Sequence, residues 1–273
     1  MKPVVLSKRL RAIADMVTTG NRVCDVGCDH GFIPIWLAEQ KISPKVLAMD
    51  VRSGPLGAAK EHIAERGLDS CIETRLSNGL HNYNVGEADT LICAGMGGGL
   101  MMRILSEEPD KAASFQEMIL QPQSEIEQFR AGLREMGYRI IDEIMIEEDG
   151  KFYPMMRVEK ELCKLKFPSG NAEGQAASCD EMEIEISSAK QSGVLDKKML
   201  CKLEDRYGPL LLAGKDRTLA AYLRREERIY GEILQRLQAE GLSDVKRKRR
   251  YAEVSGLLAE CLMAQQIVAQ DRQ

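Results

Sequence analysis

No stretch of this chain is apolar for long enough to cross a bilayer as a helix. The first eleven residues lack the apolar run of a signal peptide. Histidine is scarce, at three residues, and no Ser, His and Asp stand as a hydrolase triad. The eight cysteines are scattered, most of them inside apolar segments, and read as reduced thiols of a cytoplasmic protein. Cys24, Cys28 and His30 have no second Cys/His pair at a matching spacing, which argues against a metal site. Nor does charge lean far to one side: the net charge is −4, so bulk charge announces no nucleic-acid partner. No repeat with a period of 20–50 residues is visible.

What is present is alternation. Leu6, Leu10, Ile13, Ala14 and Val17 share one face of a helix over 6–17, with Ser7 as a candidate N-cap. Apolar runs at 23–26, 45–50, 72–76, 90–94 and 117–121 predict strands, and helices are expected at 32–40, 54–66, 100–107 and 125–136. Gly67 suits a helix stop, and Ser124 a helix start. Two further strand patterns, 138–147 and 152–159, meet at Asp149-Gly150, a strong hairpin signal. Such alternation implies a mostly parallel sheet with helices on both faces. The closing antiparallel hairpin goes beyond a plain dinucleotide-binding fold.

Residues 169–191 are rich in Gly, Ala, Ser, Asn and acids and read as an insertion or linker. Order restarts at Tyr207-Gly208-Pro209. Leu219, Leu223, Tyr230, Ile233 and Leu237 keep a period of about 3.5, and Gly241 breaks it. A return helix carries Val254, Leu257, Leu258, Cys261, Leu262 and Val268, so an antiparallel helical hairpin is expected. The chain thus divides into a sheet domain over 1–160, a linker and insertion over 161–215 and a hairpin over 216–273.

The chemistry concentrates after the strands. Asp25-Val26-Gly27-Cys28-Asp29-His30-Gly31 follows the first strand and opens a helix. A dinucleotide fingerprint wants Gly where Asp29 stands, so that a pyrophosphate can sit on the helix N-terminus. An acid there repels phosphate but suits a cation, and S-adenosylmethionine carries an ammonium and a sulfonium. Asp25 and Gly27 then shape the loop, and Gly27 permits close approach. The plain alternative makes Asp29 a helix cap. That alternative does not explain Asp50, placed at the end of the second strand to bind both ribose hydroxyls. Asn78, in Ser77-Asn78-Gly79, reads either as an adenine contact or as a turn residue.

The run Ala94-Gly95-Met96-Gly97-Gly98-Gly99 follows the fourth strand and lacks the Lys-Ser/Thr of a phosphate-binding P-loop. Its bare backbone offers a platform for a flat base. Gln121-Pro122-Gln123 puts two amides on the same rim, for reading a base edge or for turning the chain before Ser124. In the tail, Lys246, Arg247, Lys248, Arg249 and Arg250 form a run without an acid. Such runs are usually solvated faces, but here, with Arg9 and its neighbours, they suggest phosphate contacts.

Taken together, Leu6-Ser7-Lys8-Arg9-Leu10, Asp25-Val26-Gly27-Cys28-Asp29-His30, Gly95-Met96-Gly97-Gly98 and Leu120-Gln121-Pro122 resemble the bacterial tRNA (adenine(22)-N(1))-methyltransferase family. The resemblance covers Leu6 to about Val158 and continues more weakly through the terminal hairpin. Asn78 stands where the family more often has an acid, and Gln123 where Asn is usual. The resemblance implies an α/β, Rossmann-like class I methyltransferase sheet plus a C-terminal α-helical coiled-coil hairpin. It also implies S-adenosyl-L-methionine as cofactor, bound by Asp25, Gly27, Asp29, His30, Asp50, Asn78 and Gly95. Gly95, Met96, Gly97 and Gln121 would position the adenosine. Arg9 and residues 246–250 would bind tRNA. The expected state is a cytoplasmic monomer or weak homodimer, with neither metal nor membrane. Rival readings are a methyltransferase for another RNA or a small molecule, and a non-catalytic cofactor-binding module whose hairpin binds a partner.

Overall fold

The computed structural model describes residues 4–161, 196–241 and 244–269. The expected insertion at 169–191 lies outside the described residues. The strands are β1 (Val23–Val26), β2 (Val46–Asp50), β3 (Ile72–Leu76), β4 (Thr90–Met96), β5 (Glu117–Pro122), β6 (Tyr138–Glu148) and β7 (Lys151–Lys160). They form one seven-stranded sheet in the order β3-β2-β1-β4-β5-β7-β6. The first five are parallel, and β7 pairs antiparallel with both β5 and β6.

The apolar runs become strands because both faces of the sheet are covered. Val23, Val46, Ala48, Ile92 and Ile119 point into one core, and Cys24, Leu47, Met49, Leu91 and Leu120 into the other. Helices α1 (Lys8–Asp15), α2 (Phe32–Glu39), α3 (Ser53–Glu65), α4 (Gly98–Glu107), α5 (Pro109–Ala112) and α6 (Ile126–Glu135) connect and cover the strands. Ser7 caps α1, its Oγ accepting from the Leu10 amide at 3.3 Å. Gly67 follows α3 in the left-handed conformation, with φ of 65°. Asp149 and Gly150 both have positive φ, 51° and 69°, as a tight turn between twisted strands requires. Ser124 is not the cap of α6. Glu125 holds that place in left-handed conformation and makes no side-chain capping bond to α6.

The stretch expected as linker contains two helices, α7 (Lys197–Tyr207) and α8 (Pro209–Ala213). They carry Leu203, Tyr207, Leu211 and Leu212 into a third core, closed by Met145 of β6. Helices α9 (Arg217–Ala239) and α10 (Val245–Ala269) complete it with Leu219, Leu223, Cys261 and Ala264. The buried residues of α9 lie only in its first two turns. From Leu223 to Ala239 the helix runs on for about 24 Å at 1.5 Å per residue.

The join between sheet and helices is a buried ion pair. Arg130 of α6 donates through Nε to Glu143 of β6 at 2.9 Å, and the two side chains are 2% and 0% exposed. Arg130 Nη1 donates to both the Asp205 and the Arg206 carbonyls of α7 at 3.0 Å, and Nη2 lies 2.8 Å from Glu143 Oε1. Glu143 also accepts from the amides of Leu210 and Leu211 in α8. Burial pushes its carboxyl above the usual carboxylate range, and Arg130 pulls the other way. Gly208 is required between α7 and α8, because a Cβ there would overlap the Glu143 carboxylate. Removing one partner of such a pair leaves an uncompensated charge. Arg130→Met should therefore destabilise the protein by about 3–5 kcal/mol in denaturant titrations. Arg130→Met with Glu143→Leu should recover much of that loss. A neutral single substitution would show that the pair is not the clamp.

Candidate cofactor and substrate site

The strand order reverses between β1 and β4, which opens a crevice at their carboxyl ends. A cavity of about 580 Å³ lies there. Its walls include Asp25 of β1 with Gly27 and Asp29 just beyond it, Asp50 at the end of β2, Asn78 after β3, and Gly95 and Met96 of β4. Seven of the expected site residues thus converge, although they come from four separate strand ends.

Gly27 has φ of 81°, and a Cβ on it would stand 2.7 Å from the Met96 Cε. The positive φ strains any side chain there, and the Met96 methyl would have to move aside. Asp29 also has positive φ, 50°, and its amide donates to Asp50 Oδ2 at 3.2 Å. It does not cap α2; Gly31 does, in left-handed conformation. Asp50 Oδ1 accepts from the Arg52 amide at 2.8 Å. Asp50 thus ties the first loop to the second and keeps lone pairs for a ligand.

Asp25 pairs in register with Ala48 and Ile92 and is 3% exposed. Burial, and then the nearby Asp50 carboxylate, push its carboxyl up to about 7. Three acids line one cavity, two of them buried; Arg52 lies 3.6 Å from Asp29 and 3.7 Å from Asp50, which leaves Asp25 as the carboxyl without a cation beside it among the described residues. Asp25 in that position suits the sulfonium or ammonium of S-adenosylmethionine. Among the described residues, no group of three or more His, Cys, Asp or Glu is placed to hold a metal ion.

Other expected residues lie elsewhere. His30 does not line the cavity; its exposed ring stands beside Phe32 and His62. Gly97 does not line it either. The end of the glycine run serves packing: a Cβ on Gly98 would meet the Ser124 carbonyl at 2.6 Å, and the Gly99 amide donates to Glu125. Gln121 is fully buried, accepting from Arg9 Nη1 at 3.0 Å and donating to the Pro122 carbonyl. The amide on the cavity wall is Gln123 instead. Arg9, expected as a tRNA contact, lines the cavity with its guanidinium 5.4 Å from the Tyr153 ring centre. Arg52 and Arg103 on the rim carried no signal in the sequence.

A family model described as "Methyltransferase domain" matches residues 6–156. The tRNA (adenine(22)-N(1))-methyltransferase of Bacillus subtilis is 35% identical over 159 residues, which are 58% of this chain and 67% of that protein. The chain belongs to this methyltransferase family. The crystal structure of the B. subtilis M1A22 tRNA methyltransferase superposes with a TM-score of 0.73 at 25% identity, over 96% of this chain and 99% of that one. A Streptococcus pneumoniae structure solved with S-adenosyl-L-methionine gives 0.72 at 25% identity, over 96% and 100%. The alignments of known structures therefore extend past the sheet into the C-terminal helices of this methyltransferase.

The run 246–250 opens α10 at the tip of the hairpin. Arg247 is partly spent there, donating to the carbonyls of Glu240 and Gly241 and pairing with Asp244. Arg249 and Arg250 both pair with Glu253. Lys246 and Lys248 have no ion pair among the described residues.

The raised Asp25 carboxyl has two linked consequences. Its ordinary value is near 4, so fold stability from this group is full below pH 4 and falls as pH rises towards 7. A cationic ligand reverses that preference, because it favours the ionised carboxylate. Affinity for S-adenosyl-L-methionine should therefore climb between about pH 5.5 and 7.5. Calorimetry should detect proton release at the lower end, and Asp25→Asn should abolish both effects. An unchanged pH slope in that variant would remove Asp25 from the account. Gly27→Val should abolish cofactor binding, and unchanged calorimetric affinity would misplace the site.

Proposed function

We propose that this protein transfers a methyl group from S-adenosyl-L-methionine to N1 of an adenosine in tRNA, at position 22 as in its B. subtilis relative. The observation that carries this reading is the acid-lined cavity at the β1–β4 crevice, in a chain of this family. When bound, the cofactor supplies a methyl group made electrophilic by its sulfonium. Adenine N1 has a free lone pair at neutral pH, so no base is needed to remove a proton first. The protein's task is to align N1 with the methyl group and to take the adenosine out of its stack.

Asp25, Asp29 and Asp50 would seat the cofactor, with Asn78 beside its adenine. Gly95, Met96 and Gln123 would face the target base on the other side. Gln121 acts through Arg9, holding the guanidinium at the cavity wall. The methylated ring becomes cationic, and the field of the three acids favours that charge. The hairpin tip supplies phosphate contacts through Lys246, Lys248, Arg249 and Arg250. Such an enzyme works where tRNA is, in the cytoplasm.

Labelled cofactor and unmodified tRNA, digested to nucleosides after reaction, should yield 1-methyladenosine. Its absence would overturn the reading. Serine at 246, 248, 249 and 250, with Arg247 kept for its loop contacts, should weaken tRNA binding and flatten its salt dependence. Cofactor affinity should stay unchanged. Equal loss of both would make the run structural.

A further inference from the structure

A second cavity, of about 480 Å³, lies between β7 and the start of α9. Gln123 lines both cavities, so the second opens beside the first. Arg9 reinforces the join: it lines the first cavity and lies over Tyr153, which lines the second. Phe152 forms the next part of the wall, its ring 5.3 Å from that of Tyr222. Arg225 lies over Phe152 and donates to the Gly150 carbonyl at 2.7 Å, and Lys151 is exposed on the rim.

The charge of this groove is uneven. Neither Lys151 nor Arg225 has a carboxylate partner among the described residues. The one acid on its wall, Glu226, accepts hydrogen bonds from the hydroxyls of Tyr207, Tyr222 and Tyr230 and lies 3.7 Å from Arg206. Its charge is turned inward. What remains facing outward is aromatic surface with two cations that lack a carboxylate partner among the described residues, Arg225 being held at the rim by the Gly150 carbonyl; this combination suits an unstacked nucleotide. A peptide partner would not need a cation on each side of an aromatic wall.

Resting on the function proposed above, we propose that this groove holds the nucleotide next to the target adenosine. Its base lies against Phe152 and Tyr153, and its phosphate lies between Lys151 and Arg225. Two adjoining nucleotides would thus be unstacked together, one in each cavity. The groove also explains why a catalytic sheet and a distal helix must keep a set spacing: each contributes one wall.

Lys151→Gln with Arg225→Gln changes exposed side chains without ion pairs among the described residues, and an unchanged melting temperature should show that losing the Arg225 bond to the Gly150 carbonyl leaves the fold intact. The KM for tRNA should rise roughly tenfold, from two lost phosphate contacts, with cofactor affinity unchanged. In a second measurement, 2-aminopurine placed beside the target adenosine should be quenched when wild-type protein binds, through stacking on the aromatic wall. Tyr153→Leu should restore much of that fluorescence. An unchanged KM in the double variant, or 2-aminopurine that stays bright on wild-type protein, would overturn the groove assignment. Wild-type protein that forms no 1-methyladenosine would overturn the function itself, so the two failures are distinct.

Discussion

The buried pair of Arg130 and Glu143 is the constraint on which the arrangement depends. Neither charge has water to fall back on, so their partners must come from the protein. Arg130 Nη1 is bonded by the end of α7, and Glu143 by the start of α8. The C-terminal helices are therefore needed to complete the hydrogen bonding of the sheet domain. In return, the sheet decides where those helices sit. Helix α9 then starts against β7, and Arg225 meets the hairpin turn at Gly150. A pair of charges far from any ligand thus sets the spacing between the catalytic crevice and the helical arm.

The cofactor cavity follows a different logic. Here charge is left unsatisfied by design of the fold: Asp25 is enclosed by the core and has another acid beside it. Gly27 and Gly31 bring the backbone close, and Asp50 links two loops through its accepted hydrogen bonds. The protein keeps one site where electrostatics oppose folding and another, at Arg130, where they enforce it. Only the first can be improved by a ligand.

Much of this was legible before any coordinates. The strands announce themselves because a sheet covered on both faces needs uninterrupted apolar runs, and Asp149-Gly150 announces the hairpin by its turn chemistry. Asp25, Gly27, Asp29, Asp50, Asn78 and Gly95 are all on the cavity wall. The misses have local causes. Strand β5 continues through Pro122, and the register shifts between Ala94 and Met96. Gln121 is therefore still inside the sheet and buried, whereas Gln123 lies just past the strand end and faces the cavity. Helix α7 follows a low-complexity stretch that hides its start at Asp196, which caps it through the Lys198 amide, and its apolar face is filled by α6, α8 and α10. Glu125 adopts a left-handed conformation that its residue type does not advertise.

The hairpin is held at its base and free at its tip, so mechanically it is a cantilever. About 24 Å of α9 lies beyond its last buried residue, and a tilt of about 5° at the root moves the end by about 2 Å. Stiffness at the root therefore governs where the distant end can reach. Small changes in the packing of Leu219 and Leu223 against Cys261 and Ala264 would be magnified along the arm. A cantilever of set length also works as a gauge: it accepts a rigid object only if two of its points lie the right distance apart, whatever the chemistry between them.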